Sequence, residues 1–400
     1  MSRFRRQLTI GLSALLLVFT SGCWSSKEIE DLSVYVGVGL DVAEESKFEK
    51  SINEQGGHYP KNNNFTATVQ IVPRIGPKQD TQKGAGASEG QSFLNERLTG
   101  DSLFQIFRQF ALRRDRPLIG HHLKVIVVSH ELSKKYSLEQ LLDFILRDND
   151  IRPSCLVLVS HGTAHEALSS IEPGEVPAFY LKGVVGNAYR SNKILPPVSL
   201  AKLDGKMQSG SSFLLQNVLT AEGEHKFSGA GIYKGETKKW IGSLNQIELE
   251  GLSWITGKAQ QGAVKSYAAP KGHTVTYEIK STKSKIIPLV QGNNISFHIK
   301  IDSEGQLMED WSSPEIPSTD KYIRKLEVQF ADTVKEQIQQ VMNKMQRTYR
   351  VDVGGFGDEL RIKYPKVWKK VKKDWDETFS HVPVTYDVKI NIKDSGSSTD

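Results

Sequence analysis

The stretch HLKVIVVSHELSKKYSLEQLLDFILRDNDIRPSCLVLVSHG, residues 122–162, decides the fold of the first half of the chain. Its two short apolar runs, LKVIVV and CLVLV, have the length and the β-branched composition of buried strands. Between them, SLEQLLDFILRD (137–148) repeats apolar residues at helical spacing and starts at Ser137, a residue type that caps helices. Helix and strand alternate from Asp101 to Ile171, which predicts a compact α/β layer arrangement.

The second half of the chain has a different pattern. TVTYEIKSTKSKIIPLV (274–290) and ISFHIKID (295–302) alternate apolar and polar residues, which predicts long antiparallel strands. A long helix, a second helix and a final strand, VPVTYDVKINI (382–392), are predicted to follow. One apolar face of the long helix comprises Leu326, Phe330, Val334, Ile338, Val341, Met342, Met345 and Tyr349. The fold class is therefore predicted to be α+β, with mixed and antiparallel sheets and packed helices.

Breaks in composition divide the mature chain into three predicted domains. An N-terminal α/β domain covers residues 23–188, and a C-terminal domain with an antiparallel sheet and two helices covers residues 271–394. The middle domain, 189–270, is predicted to hold mostly short strands, because FSGAGIYKG (227–235) and WIGSLNQIELEGLSWIT (240–256) are short runs around turns. A chain of 400 residues also fits two or three domains better than one.

The N-terminus has the layout of a secretory signal peptide. Three arginines precede LTIGLSALLLVF (8–19), a run that reaches only about 18 Å as a helix, against a hydrocarbon core of about 30 Å. Small residues then lead to Cys23 in an arrangement that resembles the bacterial lipobox, although Thr20 stands where leucine is preferred. The resemblance implies removal of residues 1–22 and attachment of a diacylglyceryl group to Cys23. An ordinary cleaved signal with an incidental cysteine is the alternative.

Composition predicts a water-soluble ectodomain tethered by lipid. Hydrophobic residues make up 38% of the chain and charged residues 24%, as in globular proteins. The formal net charge of +6 includes the three signal-peptide arginines, so the surplus on the mature chain is too small to indicate nucleic acid binding. Once Cys23 is acylated, Cys155 is the second and last cysteine, and its apolar run predicts that it packs as a small hydrophobe.

The histidines and serines do not form a catalytic constellation. His161 and His165 in HGTAHE stand four residues apart beside Glu166, a spacing that suits two zinc ligands on one helix face. However, Gly162 disfavours a helix there and no third ligand is evident, so we expect His161 to end a strand and Thr163 to cap the next helix. No serine has the G-x-S-x-G context of a hydrolase. We predict no enzymatic activity, no metal site and no cofactor.

The stretch DVGGFGDELRIKYPKVWKKVKKDWDETF (352–379) is the most informative part of the C-terminal half. Pro365 suits the first turn of a helix, whose apolar face would comprise Tyr364, Val367, Trp368, Val371 and Trp375. Four lysines gather on another face at helical spacing and define the lysine ridge, Lys366, Lys369, Lys370 and Lys373. The ridge is predicted to face the membrane or an acidic partner. A solvated face of a helix docked through its tryptophans is the alternative.

These motifs together resemble the Ger(x)C family, the lipoprotein C subunits of nutrient-germinant receptors in endospore-forming bacteria. The resemblance is carried by G-C-W at 22–24, GVGLD at 37–41, IGHHLKVIVVSHEL at 119–132 and FG…YPKVWKKVKKDW at 356–375. It implies a three-domain α+β receptor subunit without known catalysis, held by lipid at the outer face of the spore inner membrane. It also implies assembly with two multispanning partners, an A subunit and a B subunit. Apart from Cys23, it implies no site residues.

Two other functions fit parts of the sequence. A solute-binding lipoprotein would deliver a nutrient to a transporter, but it would need two α/β lobes around a cleft, which the antiparallel pattern of the C-terminal half disfavours. A metal-dependent cell-wall or lipid hydrolase would need bound zinc and a third ligand beside His161 and His165.

Overall fold

The computed structural model describes residues 32–62, 64–73, 92–169, 174–268, 272–311 and 320–394. The predicted signal peptide and Cys23 lie outside these residues. Within them the chain forms a large mixed sheet and a smaller four-stranded sheet, and helices pack on both. The predicted α+β class, with mixed and antiparallel sheets, is confirmed.

The large sheet is built around a parallel centre. Its strands are β1 (Ser33–Val42), β2 (Phe65–Ile71), β3 (Leu94–Gly100), β4 (Leu118–Ile119), β5 (Val125–Ser129), β6 (Leu156–Ser160), β7 (Phe213–Ala221), β8 (Glu224–Tyr233) and β9 (Trp240–Leu244). Among the described residues their order is β3-β2-β1-β5-β6-β7-β8-β9, with β4 beside the start of β1. β1, β5, β6 and β7 are parallel neighbours, whereas β2, β3, β8 and β9 pair antiparallel.

Helices cover both faces of this centre and continue through the second half of the chain. Their bounds are α1 (Lys47–Glu54), α2 (Leu103–Phe110), α3 (His130–Lys135), α4 (Leu138–Arg147), α5 (Ala164–Ala167), α6 (Pro177–Val185), α7 (Leu200–Ser209), α8 (Gln246–Ile255), α9 (Asp320–Asn343), α10 (Phe356–Lys363), α11 (Pro365–Val371) and α12 (Trp375–His381). Ser137 and Thr163 each form a capping box at the start of α4 and α5. The predictions for residues 122–162 are therefore confirmed.

The smaller sheet packs against the long helix α9. Its strands are β10 (Gly262–Ala268), β11 (His273–Gln291), β12 (Asn294–Asp310) and β13 (Val384–Asp394), in that order. β10, β11 and β12 are antiparallel, but β13 is parallel to β12, which differs from the antiparallel arrangement expected for this region. Parallel neighbours need a long crossover, and helices α9 to α12 supply it. The predicted apolar face of α9 is buried from Leu326 to Met342.

Helix α8 corrects the prediction of short strands over residues 240–256. Only Trp240–Leu244 is a strand, and Asn245 with Glu248 forms a capping box that starts the helix. Every residue from Glu248 to Ile255 is buried, so the sequence has no polar face at helical spacing to indicate the helix. Gly251 allows α8 to approach α9, because a Cβ there would lie 2.2 Å from the carbonyl oxygen of Gln337.

One hydrophobic core joins the two sheets. Leu214, Ile232 and Leu244 of the large sheet belong to the same buried cluster as α8, α9 and the smaller sheet. Two further clusters cover the two faces of the parallel centre, and the buried Cys155 packs in one of them, as predicted. The division into domains 23–188, 189–270 and 271–394 stays a prediction. No helix in the described ranges is long and apolar enough to cross a bilayer.

Candidate functional site

A buried carboxylate organises the C-terminal stretch singled out by the sequence. Oδ1 of Asp352 accepts hydrogen bonds from the backbone N–H groups of Gly354, Gly355 and Phe356, at 3.0, 2.9 and 3.2 Å. Its Oδ2 accepts from the N–H of Gly357 at 2.7 Å and from Nε1 of Trp375 at 2.8 Å. Burial raises the pKa of the Asp352 carboxyl, while these donated hydrogen bonds act in the opposite direction. Asp352 thus fixes both the start of α10 and the start of α12.

Two glycines that follow Asp352 are favoured for different physical reasons. Gly355 has φ of 83°, in the left-handed region that favours glycine, and it directly precedes α10. Gly357 lies under two indole rings, because a Cβ at this position would lie 2.6 Å from Nε1 of Trp375 and 3.0 Å from the ring of Trp368. The two rings meet edge to face, with centroids 5.3 Å apart.

The predicted apolar face of the basic helix is confirmed. Trp375 is buried, and Tyr364, Val367, Trp368 and Val371 pack against the same core. The helix itself is shorter than predicted, because α11 ends at Val371 and a turn of 3₁₀-helix over Lys372–Asp374 precedes α12. Lys373 therefore stands on this turn rather than on the α-helix.

The lysine ridge is exposed along its whole length. Lys366, Lys369 and Lys370 lie on α11 and Lys373 on the following turn, and all four side chains face solvent. Within the residues that the structure describes, none of the four has a carboxylate within ion-pair distance. The ridge is thus a set of exposed positive charges, without ion-pair partners among the described residues, on a segment whose apolar face packs against the core. Its role as a membrane- or partner-facing surface stays a prediction.

Asp376, in α12, connects the segment that carries the ridge to the large sheet. Its Oδ2 accepts a hydrogen bond from the Ser212 hydroxyl at 2.9 Å and lies 2.9 Å from Nζ of Lys234. Its Oδ1 accepts from the backbone N–H of Asp352 at 3.0 Å. Ser212 precedes β7 and Lys234 follows β8, so one carboxylate joins two strands to the Asp352 loop.

The histidines singled out by the sequence have separate environments. The ring of His161, directly after β6, stacks on His130 with centroids 4.9 Å apart, and its Nε2 lies 3.1 Å from the Ser243 hydroxyl. His165 lies in α5, where its backbone N–H donates to Asp41 at 2.9 Å. Burial lowers the pKa of both imidazoles. In the described ranges, no three His, Cys, Asp or Glu side chains are grouped so as to hold a metal ion.

Cys155 is a buried free thiol. It lies just before β6, and burial raises the pKa of the thiol to about 12. Sequence reasoning missed Asp352 and Asp376. An aspartate before a glycine-rich turn is a recognisable signal for Asp352, since such carboxylates bond the backbone N–H groups that follow. Asp376 had no signal, because its partners lie far away in the sequence.

The fold and this C-terminal unit match known proteins over nearly the whole chain. A family model described as the spore germination protein N-terminal domain matches residues 25–218, and one described as "Spore germination B3/ GerAC like, C-terminal" matches residues 228–396. The crystal structure of the GerBC protein superposes with a TM-score of 0.60 at 26% identity, covering 89% of this chain and 97% of that one. These matches define the class as spore germination proteins.

Two relatives from Bacillus subtilis (strain 168) place the chain within this class. Spore germination protein YndF is 44% identical over 399 residues, which is 99% of this chain and 98% of that protein. Spore germination protein B3 is 29% identical over 385 residues, which is 96% of each. The chain belongs to the Ger(x)C family of spore germination proteins, and its role is in germination.

Proposed function

We propose that this protein is a non-enzymatic, lipid-anchored subunit of a nutrient-germinant receptor. The observation that carries the proposal is similarity over the whole chain to spore germination proteins, two of which are named B3 and A3. A subunit of this kind acts by assembly, and the exposed, rigidly held lysine ridge is consistent with a protein that works through its surface. The proposed partners are the A and B membrane subunits of the same receptor.

The proposed anchor is a diacylglyceryl group on Cys23, which would hold the protein at the outer face of the spore inner membrane. A short apolar run before Thr20-Ser21-Gly22-Cys23 supports it. Two acyl chains are sufficient for stable attachment.

Replacement of Cys23 tests the anchor and the receptor role together. We expect Cys23→Ala protein to leave the inner-membrane fraction and the spores to lose their response to the nutrient that this receptor detects. The matched control is Cys155→Ala, because Cys155 is buried and far from the proposed anchor in sequence, so this variant should stay in the membrane and respond. Normal membrane content and a normal response in Cys23→Ala spores would refute the anchor.

Co-purification tests the proposed assembly. We expect the wild-type protein, solubilised from spore membranes with mild detergent, to bring down the A and B subunits. Isolation of the chain alone, combined with tight binding of an amino acid or sugar in calorimetry, would instead support a solute-binding lipoprotein.

A further inference from the structure

The start of β1 and the Asp376 junction lie at the same edge of the large sheet. The parallel register pairs Val38 with Ile126, Ile126 with Val157, and Val159 with Asn217. When this pairing is continued toward the amino-terminal ends of the strands, Ser33 lies level with Arg152 and with the residues just before Ser212. Both Ser33 and Ser212 therefore lie at the amino-terminal edge of the parallel centre.

The lateral separation along this edge is small. β7 is the third strand from β1, after β5 and β6, and neighbouring strands lie about 4.8 Å apart, so the start of β7 is about 15 Å from the start of β1. Asp376 binds Ser212 at this place, and Lys373, the last lysine of the ridge, is three residues before Asp376. The ridge thus ends beside the edge that holds Ser33.

The length of chain before Ser33 limits how far the anchor can lie from this edge. An extended segment from Cys23 to Ser33 reaches at most about 35 Å. This step rests on the proposed lipid anchor at Cys23. With the anchor in the bilayer, the edge that holds Ser33 and the adjacent ridge is the part of the molecule tethered within about 35 Å of the headgroups.

Charge and exposure at this edge favour a lipid surface. The four ridge lysines have no carboxylate partner among the described residues, and Ile362 of α10, four residues before Lys366, is 67% exposed. Exposed apolar side chains beside lysines are typical of surfaces that bind membranes peripherally. Near β1 the charge is mixed, since Asp115 and Asp150 accompany Arg116 and His121. From Arg361 to Asp374, by contrast, seven basic residues accompany one acidic residue, so the excess of positive charge is on the segment that carries the ridge.

We infer that the lysine ridge binds anionic phospholipid headgroups and, together with the Cys23 anchor, fixes the orientation of the protein on the membrane. The hydrogen bonds of Asp352 and Asp376 hold the ridge in a fixed position relative to the sheet. The anchor and the ridge therefore act as two points of attachment. The amino-terminal edge of the parallel strands faces the bilayer, and their carboxyl-terminal edge faces away.

Site-directed labelling of the lipidated full chain tests this orientation. Lys370→Cys is labelled with an environment-sensitive fluorophore. Quenching of its fluorescence is then measured in vesicles that contain phosphatidylglycerol and a shallow spin-labelled lipid. The control is Lys135→Cys, which is exposed on α3 at the carboxyl-terminal end of β5. Buried Cys155, with its thiol pKa raised to about 12, should not be labelled. We expect strong quenching at position 370 and weak quenching at position 135.

A charge-removal variant tests the headgroup specificity. Combined replacement of the four ridge lysines by glutamine should abolish the phosphatidylglycerol-dependent part of the quenching of a label at Ile362→Cys, because each lysine strengthens association with an anionic surface about fivefold. The matched control replaces four exposed lysines of β11 and β12, namely Lys280, Lys283, Lys285 and Lys300, and should leave the quenching unchanged.

The outcomes separate this inference from the proposed function. A chain that does not float with vesicles refutes the anchor. A chain that floats with equal quenching at positions 370 and 135 overturns the orientation while leaving the anchor intact. Equal quenching at position 370 in neutral phosphatidylcholine vesicles overturns headgroup recognition. Protection of position 370 only when the A and B subunits are present also overturns it, and would assign the ridge to a protein partner.

Discussion

The hydroxyl of Tyr349 is hydrogen-bonded to both backbone groups of Ser243, the N–H and the carbonyl. It donates to the carbonyl oxygen of Ser243 at 3.2 Å and accepts from its N–H at 3.3 Å. Ser243 lies on β9, the edge strand of the large sheet, and Tyr349 follows the turn of π-helix that ends α9. Unpaired backbone groups on an edge strand are open to pairing with another chain. One phenol therefore pairs both backbone groups of Ser243 and joins this edge to the long helix.

Removal of the Tyr349 hydroxyl should destabilise this junction. We expect Tyr349→Phe to lower the free energy of unfolding by about 1–2 kcal/mol, because the partly buried N–H and carbonyl of Ser243 both lose a partner. Chemical denaturation followed by circular dichroism measures it. Tyr386→Phe is the control, since its hydroxyl bonds Gln339 at an exposed position and its loss should cost less. Equal costs for the two variants would argue against a special role for Tyr349.

Replacement of Asp352 should loosen the whole C-terminal stretch. In the wild type, backbone N–H groups donate to both carboxylate oxygens of Asp352, and in Asp352→Asn the amide nitrogen would face some of these donors. We therefore expect a loss of about 3 kcal/mol in unfolding free energy. Faster hydrogen exchange at Gly354–Gly357 should accompany it. Asp358→Asn is the control, because Asp358 forms only an exposed ion pair with Arg361 and should cost less than about 1 kcal/mol. Unchanged exchange in Asp352→Asn would contradict this role.

A methyl group at Gly357 should disturb the tryptophan pair above it. We expect Gly357→Ala to cost about 1–3 kcal/mol, because overpacking forces the ring of Trp375 or Trp368 to move. A change in near-ultraviolet circular dichroism reports this movement. Gly205→Ala offers a matched comparison, because nothing lies within 4 Å of a Cβ at that exposed position in α7, and alanine there should stabilise the helix by about 0.5–1 kcal/mol. Similar effects of the two variants would contradict the packing explanation.

Stability should fall as the pH decreases below about 6.5, the ordinary value for histidine. Burial, with the neighbouring charges of His130 and Lys134, lowers the pKa of His161, so between its folded and unfolded pKa values the unfolded chain binds more protons. His165 and His225 contribute in the same direction, since burial lowers their pKa values too. Unfolding free energies measured from pH 5 to pH 8 should show this slope.

The variant His161→Gln isolates one part of this slope. We expect a shallower pH dependence in this variant than in the wild type, whereas His381→Gln, at a position 71% exposed, should leave the slope unchanged. An identical slope in His161→Gln and wild type would assign the pH dependence to other groups.

Local patterns predicted the elements that have a polar and an apolar side or a clear cap. The strands and helices of residues 122–162, the long helix α9 and the tryptophan face of α11 follow from apolar spacing and from Ser137 and Thr163. Helix α8 was missed because it is buried on all sides, and the parallel pairing of β13 because register between distant strands leaves no local pattern.

The candidate site was predictable only in part. The ridge lysines and their supporting tryptophans are evident from helical spacing, but the end of α11 at Val371 is not. The hydrogen bonds of Asp376 to Ser212 and Lys234 join residues more than 140 positions apart, which no local pattern indicates. These contacts depend on how the two sheets pack.

Mass spectrometry of the mature N-terminal peptide from the inner membrane of native spores tests the central claim most directly. We expect a peptide that begins at Cys23 and carries a diacylglyceryl group on its thiol. A peptide that begins elsewhere without modification would contradict the lipid anchor and, with it, the proposed orientation of the lysine ridge on the membrane.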